Sequence, residues 1–293
     1  MKNKLSLFAV PYVGWMSIFV VAPIIIMVVY AFSTAAGDFS LENFARMGTY
    51  TAVFTRSFKL AIIATLIALL IGYPVSYMLS KEGPQVQRIA MVLIMLPMWM
   101  NFLLRTYSWM SILENNGLLN QLFQQIGLID LYNQIAMHFA SDPAAYVPID
   151  HFQMIGTQGA VVLGMVYNYL PFMILPIYSV ICKLDHSLLE AARDLGANTL
   201  TVFRKVILPL SLPGVLSGIT MVFVPSVSTF AISRLLGGGT QMMLGDLIEQ
   251  QFLGGAYNPQ LGAAIALVMM AIVVVCMLVM NRFGDGEEQA VML

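Results

Sequence analysis

Lys183-Leu-Asp-His-Ser187-Leu188-Leu189-Glu190-Ala191-Ala192-Arg193-Asp194-Leu195-Gly196-Ala-Asn-Thr199-Leu-Thr-Val-Phe-Arg-Lys205-Val206-Ile207-Leu208-Pro209 separates two long apolar runs. Its pattern predicts a helix, a turn and a second helix. Ser187 followed by Glu190 has the S-x-x-E spacing of a capping box. Leu188, Leu189, Ala192 and Leu195 share one face at the helical period. Ala191 and Ala192 are small enough for another surface to come close. Gly196 falls where a helix C-terminus takes a left-handed residue. Thr199–Lys205 begins a second helix leading into the next run, and Pro209 sits near that run's first turn, where its missing N–H is tolerated. A charged helix–turn–helix flat on a membrane either docks a partner or is held by lipid headgroups. The periodicity alone leaves both readings open.

On either side the chain is apolar. Its 293 residues are 59% hydrophobic and 10% charged, against about 25% charged in soluble domains, and the mean hydropathy is +0.82. So few charges cannot cover a soluble surface. The net charge of −1 offers no handle for nucleic-acid phosphates. These features exclude an ordinary soluble enzyme, a nucleic-acid binder and a disordered chain, and they make the lipid bilayer the expected solvent.

Six runs approach the ~20 apolar residues that cross a bilayer: Leu7–Phe32, Leu60–Ser80, Arg88–Leu113, Ala160–Cys182, Ile207–Phe230 and Leu261–Asn281. The first is longer than the core of a signal peptide and reads as a retained span. The chain thus reads as an all-α membrane protein, one transmembrane domain over 1–293 with the loop 183–206 inside it. With the N-terminus inside, nine Lys and Arg face the cytoplasm: Lys2, Lys4, Lys81, Arg88, Lys183, Arg193, Arg204, Lys205 and Arg282. Four face outward, Arg46, Arg56, Lys59 and Arg234. The bias places both termini in the cytoplasm. The outer segment Glu114–Gly159 has neither Lys nor Arg, and it holds an amphipathic stretch, Leu118–Ile126, before Pro143 and Pro148. Prolines fall within several spans (Pro23, Pro74, Pro97, Pro171, Pro176, Pro213, Pro225) and predict kinks. Gly214 and Gly218 have the GxxxG spacing that allows close helix contact.

Several chemistries lack their parts. No Gly-Lys pair occurs, so there is no P-loop. HExxH and GxSxG are absent, and no carboxylate pair lies within a span. His138, His151 and His186 read as separate loop residues, and Cys182 and Cys276 as small covered apolar side chains. No metal, cofactor or catalytic group is implied.

The segment 183–209 resembles the EAA loop of binding-protein-dependent ABC importer permeases: Glu-Ala-Ala, three residues, Gly, nine residues, Ile, one residue, Leu-Pro. Glu190, Ala191, Ala192, Gly196, Leu208 and Pro209 match at that spacing, and Val206 stands in place of Ile. The stretches Leu96–Tyr107, Asn116–Asn120 and Gly237–Gly239 through Phe252 are further similar to the B-type permeases of spermidine/putrescine importers. The resemblance implies the type I importer permease fold with six spans in a bacterial cytoplasmic membrane. It further implies an ATPase-coupling role for Glu190, Ala191, Ala192, Arg193, Asp194, Gly196, Leu208 and Pro209. Its partners would be two ATPase subunits, a second homologous permease and an extracellular solute-binding protein. Permeases for other solutes share the fold, so a different small cargo is the alternative; a channel or carrier is the other.

A polycation leaving water needs carboxylates, carbonyls or aromatic faces. Trp99, Asn101, Tyr107, Tyr167, Phe230, Asp246 and Glu249 are the candidates for such a path, against an aromatic belt and a wet acidic surface as the plain readings. Arg105 is the charge set well inside a span, and an ion pair with Asp246 or Glu249 is expected for it.

Overall fold

A computed structural model describes residues 11–139 and 146–288; Lys2, Lys4 and Pro143 lie outside these. The described residues are helical apart from loops and one isolated bridge between Ser33 and Phe39. Helix α1 (Pro11–Ala31) contains a π-helical turn at Ser17–Val21. A short α2 (Glu42–Met47) leads into α3 (Thr51–Leu79). α3 starts nine residues before the predicted span, because its first turns carry Arg56 and Lys59 beyond the apolar length.

The third predicted span, Arg88–Leu113, is not one helix. α4 (Pro84–Trp99) stops, Met100 turns extended, and α5 (Phe102–Leu113) restarts. The axes of Pro84–Trp99 and Phe102–Gln125 differ by 91°. Asn101 causes the restart: its Oδ1 accepts from the N–H groups of Leu103 and Leu104, at 2.8 and 3.4 Å, which satisfies two donors of the new helix. The predicted outer helix Leu118–Ile126 is α6 (Leu118–Gln125), and a further helix, α7 (Leu128–Phe139), follows it. His138 lies on α7 rather than in a loop.

α8 (Gln158–Cys182) is the fourth span, with Pro171 and Pro176 inside it. The surface segment is α9 (His186–Asp194) followed by α10 (Thr199–Leu210), so His186 is helical too. The fifth span begins at Leu212 rather than Ile207: α11 (Leu212–Ser228) leaves α10 at 61°. Beyond it come α12 (Ala231–Leu236), α13 (Leu244–Leu253) and the last span, α14 (Pro259–Glu288). Among the described residues four helices are long and apolar enough to cross a membrane, or up to six spans when each bent pair counts as one.

Helices α3, α8 and α11 form the centre. Glycines set their approach: a Cβ built on Gly72 falls 2.9 Å from Met173 Cγ, and one on Gly218 falls 2.8 Å from Met173 Sδ. One on Gly214 falls 2.9 Å from the Pro176 carbonyl oxygen and 3.0 Å from Val180 Cγ2. The GxxxG pair therefore faces α8, where small residues permit backbone contact. Ser76 Oγ lies 2.8 Å from the Gly72 carbonyl oxygen and 3.0 Å from that of Ile174 on α8. Such internal bonding is what an apolar solvent demands of a hydroxyl. Cys182 is exposed rather than covered, whereas Cys276 is half-buried, packed against the cluster that holds Phe223 and Val227.

Gly214→Val should lower the unfolding midpoint of the detergent-solubilised protein, since its Cβ meets backbone that cannot move aside; overpacking of this kind costs about 1–3 kcal/mol. Gly48→Ala, where a Cβ meets nothing within 4 Å, should leave the midpoint unchanged. Equal midpoints for both variants would show that the α8–α11 approach is slack.

Candidate functional site

Two regions carry the residues singled out by sequence. The first is the surface helix–turn–helix. Its N-cap is Asp185, whose Oδ1 accepts the Ser187 N–H at 2.9 Å, and not Ser187 with Glu190. A carboxylate two residues earlier accepts more strongly and sets negative charge at the positive end of α9. Gly196 has φ +82°, as the turn predicts. The Gly196 N–H donates to Arg193 O at 2.8 Å and the Ala197 N–H to Ala192 O at 3.1 Å, the paired bonds of a Schellman closure. Asn198 then caps α10, accepting from the Thr201 N–H at 2.8 Å.

The expected apolar face of α9 is divided. Leu189 and Ala192 are half-buried, whereas Leu188 is exposed and Leu195, at 89% exposure, stands clear of the chain. Glu190, Ala191, Arg193 and Asp194 are exposed beside them. Leu208 is exposed and Pro209 half-buried. The result is a rigid, capped element that presents leucines and charges to whatever lies beyond the chain.

The second region is the other end of the bundle. Asp246 and Glu249 were expected to share an open acidic face, and they do not. Asp246 is 4% exposed. Its Oδ2 accepts from Ser233 Oγ on α12 at 2.5 Å and from the Met243 N–H at 2.9 Å, so it caps α13 and ties it to α12. Glu249 pairs with Arg234 at 3.1 Å. A Cβ on Gly245 would lie 2.4 Å from the Ser228 carbonyl oxygen and 2.6 Å from that of Thr229, so the first turn of α13 abuts the end of α11.

Arg105 accordingly receives neither acid. It is buried, and its Nε and Nη1 have no hydrogen-bond partner. Both carboxylates were committed to nearer groups on α12 and α13. Of the aromatic candidates, Trp99 is 77% exposed at the end of α4, and Tyr107 and Phe230 are also exposed. Tyr167 packs edge-on against Trp109 at 5.4 Å. Asn101 serves α5 as its cap. Among the described residues no group of three His, Cys, Asp or Glu side chains could hold a metal ion.

Burial pushes the Asp246 carboxyl above its ordinary 3.8, while the Ser233 hydroxyl, the Met243 N–H and Arg234 pull it down and Glu249 adds to the rise. The fold thus favours the protonated form. That contribution is complete below the unfolded carboxyl's pKa and is lost as pH rises through the raised value. The melting midpoint of the wild type, taken relative to Asp246→Asn, should therefore fall as pH rises through the acidic range. A difference that stays flat from about pH 4 to about pH 7 would mean that burial does not govern this carboxyl.

A family model described as "Binding-protein-dependent transport system inner membrane component" matches residues 68–286. The chain is 35% identical over 285 residues to the spermidine/putrescine transport system permease protein PotB of Haemophilus influenzae, covering 93% of each. It is 35% identical over 281 residues to PotB of Escherichia coli, covering 93% of this chain and 95% of that one. It is 28% identical over 234 residues to the E. coli inner membrane ABC transporter permease protein YdcU, covering 79% and 71%. Among solved structures, a chain of a bacterial ABC transporter that imports the acidic polysaccharide alginate superposes with a TM-score of 0.72 at 18% identity, covering 97% and 96%. A chain of the MetNI methionine ABC transporter superposes with a TM-score of 0.54 at 18% identity, covering 84% and 98%. The fold is that of an ABC transporter permease, and the chain belongs to the family of binding-protein-dependent transport system inner membrane components.

Proposed function

We propose that this chain is the permease subunit of an ATP-driven importer and forms half of a path for polyamines such as spermidine and putrescine. The observation that carries the cargo is the 35% identity over 93% of the chain to permeases named for those solutes. In this reading α9 and the turn at Gly196 are the docking element for the ATPase subunits. Leu195 inserts into an apolar cleft and Glu190 meets a basic group, while the ATP is hydrolysed on the partners. A second, homologous permease completes the path, and an extracellular solute-binding protein delivers cargo at the end that holds α6, α7 and α13. Both termini and residues 183–206 face the cytoplasm, in keeping with the nine-to-four bias of basic residues.

The path itself is read from the aromatic residues. Trp99, Tyr107 and Phe230 are exposed, so their π-faces are free to meet a cation. Asp246 and Glu249 are engaged within the chain and act on cargo only through the shape of α13. Further carboxylates then come from the second permease.

Cysteines introduced at Asp130 and Asn198 should label from opposite sides of the membrane; labelling of both from outside would reject the topology. Glu190→Lys or Gly196→Val should lower spermidine uptake by about tenfold or more, with normal insertion and weaker co-purification of the ATPase. The first reverses a docking charge and the second strains a positive-φ turn by about 1–2 kcal/mol. Normal uptake by both variants would remove the docking role. Trp99→Ala should reduce uptake while ATP hydrolysis stimulated by the loaded binding protein persists; unchanged uptake would assign Trp99 to the lipid belt.

A further inference from the structure

The surface helix–turn–helix meets α3 of the central bundle at Tyr73 and Tyr77. Phe203 opens a π-helical turn, Phe203–Ile207, within α10. Its ring lies edge-on to Tyr73, with centroids 5.8 Å apart, and to Tyr77, at 5.1 Å. Lys81 Nζ sits 3.9 Å from the centroid of the Tyr77 ring. At the far end of α10, where the chain bends, the Tyr73 hydroxyl is 2.8 Å from Ser211 Oγ. Ser211 Oγ lies 3.0 Å from the Leu208 carbonyl oxygen. A carbonyl can only accept, so the serine's single proton goes there and Tyr73 is the donor to Ser211. Tyr73 therefore touches this segment twice, by its ring at the π-helical turn and by its hydroxyl at the bend. Ser211 is fully buried, and so water does not compete for this bond.

Backbone bonding across the bend is thinned: the Ser211 N–H still donates to the Ile207 carbonyl at 2.9 Å and the Val215 N–H to that of Ser211 at 3.1 Å. Pro209 and Pro213 flank Ser211 and lack the N–H groups that would bond the carbonyls of Lys205 and Pro209. On its other side Tyr73 is anchored. Its neighbour Gly72 abuts Met173, and Ser76, three residues on, reaches the Ile174 carbonyl of α8. A displacement of α9 and α10 therefore bears on the Tyr73–Ser211 contact, where α11 begins.

We propose that Tyr73, with Phe203 and Ser211, is the joint that converts movement of the surface helix–turn–helix into movement of α11, and that Tyr73 is a positioning residue coupling ATP turnover to solute transfer. This rests on the importer reading above. The test uses the complete complex with its ATPase subunits in proteoliposomes, comparing wild type with Tyr73→Phe, Ser211→Ala and Tyr77→Phe. Two quantities are read: solute moved per ATP hydrolysed, and the spin-label distance between Glu82→Cys and Asn198→Cys, with and without nucleotide, in a background where Cys182 and Cys276 are replaced by serine.

Tyr73→Phe and Ser211→Ala should assemble normally and keep basal ATP hydrolysis. Solute moved per ATP should fall roughly tenfold, the scale on which one buried hydrogen bond biases a two-state element, and the label distances should broaden. Tyr77→Phe keeps its ring against Phe203 and should match wild type. Unchanged ratio and distances in both Tyr73→Phe and Ser211→Ala would overturn the joint. A fall of uptake and hydrolysis together, in step with the amount of assembled complex, would do so too, by reducing these residues to packing. Should wild type move no polyamine, the cargo reading fails, and the label distances still decide the joint.

Discussion

The close approach of α3, α8 and α11 is the constraint on which the rest depends. In lipid there is little hydrophobic gain from bringing helices together, so contact must come from packing and internal hydrogen bonds. Gly72, Gly214 and Gly218 supply the first by leaving no Cβ between backbones. Ser76 supplies the second, reaching the Ile174 carbonyl of α8. Around this centre the other helices are more loosely held: α4 has no buried residue, and α1 buries Ala31 alone, against Ala263 and Ala264 of α14. A chain with so much uncovered apolar surface is finished by lipid and by other subunits, as suits one component of a larger transport system.

The bends follow from the same solvent. A helix that turns within lipid must find partners for the groups it frees. At Asn101 a side chain caps the new helix. At Ser211 a hydroxyl bonds the Leu208 carbonyl and is itself bonded by Tyr73. At the other end of α11 the chain leaves the helix at Thr229 and returns through α13, whose first N–H groups are met by Asp246 and by Ser57, the latter 2.8 Å from the Leu244 N–H. Polar residues at the bends thus serve the backbone before they serve any solute.

That priority explains which features could be read from sequence. Apolar length located the crossings, since the bilayer fixes it, and Gly196 announced its turn because few other residues adopt positive φ cheaply. The break at Met100 was hidden by an unbroken apolar run, although an Asn before Phe102-Leu-Leu carries the mark of a helix cap. Asp246 and Glu249 read as a shared face because helical spacing says nothing of α12, which contributes Ser233 and Arg234 to them. Arg105 lost its expected partners for the same reason. Tyr73 drew no notice: its importance lies in a contact 138 residues away, and no local pattern encodes that.

The two π-helical turns among the described residues, Ser17–Val21 and Phe203–Ile207, are each centred four residues before a proline, Pro23 and Pro209. A proline ring crowds the carbonyl four residues back, and a wider turn there removes the clash at the cost of one extra residue in the loop of the helix. That extra residue also changes rotational phase. Relative to an uninterrupted α-helix, everything upstream of Phe203 is turned by about 100° around the axis. The proline at 209 thereby chooses which side of the surface segment is turned outward, and a leucine–proline pair at a fixed distance from the Glu-Ala-Ala triplet acts as an angular key as much as a helix start.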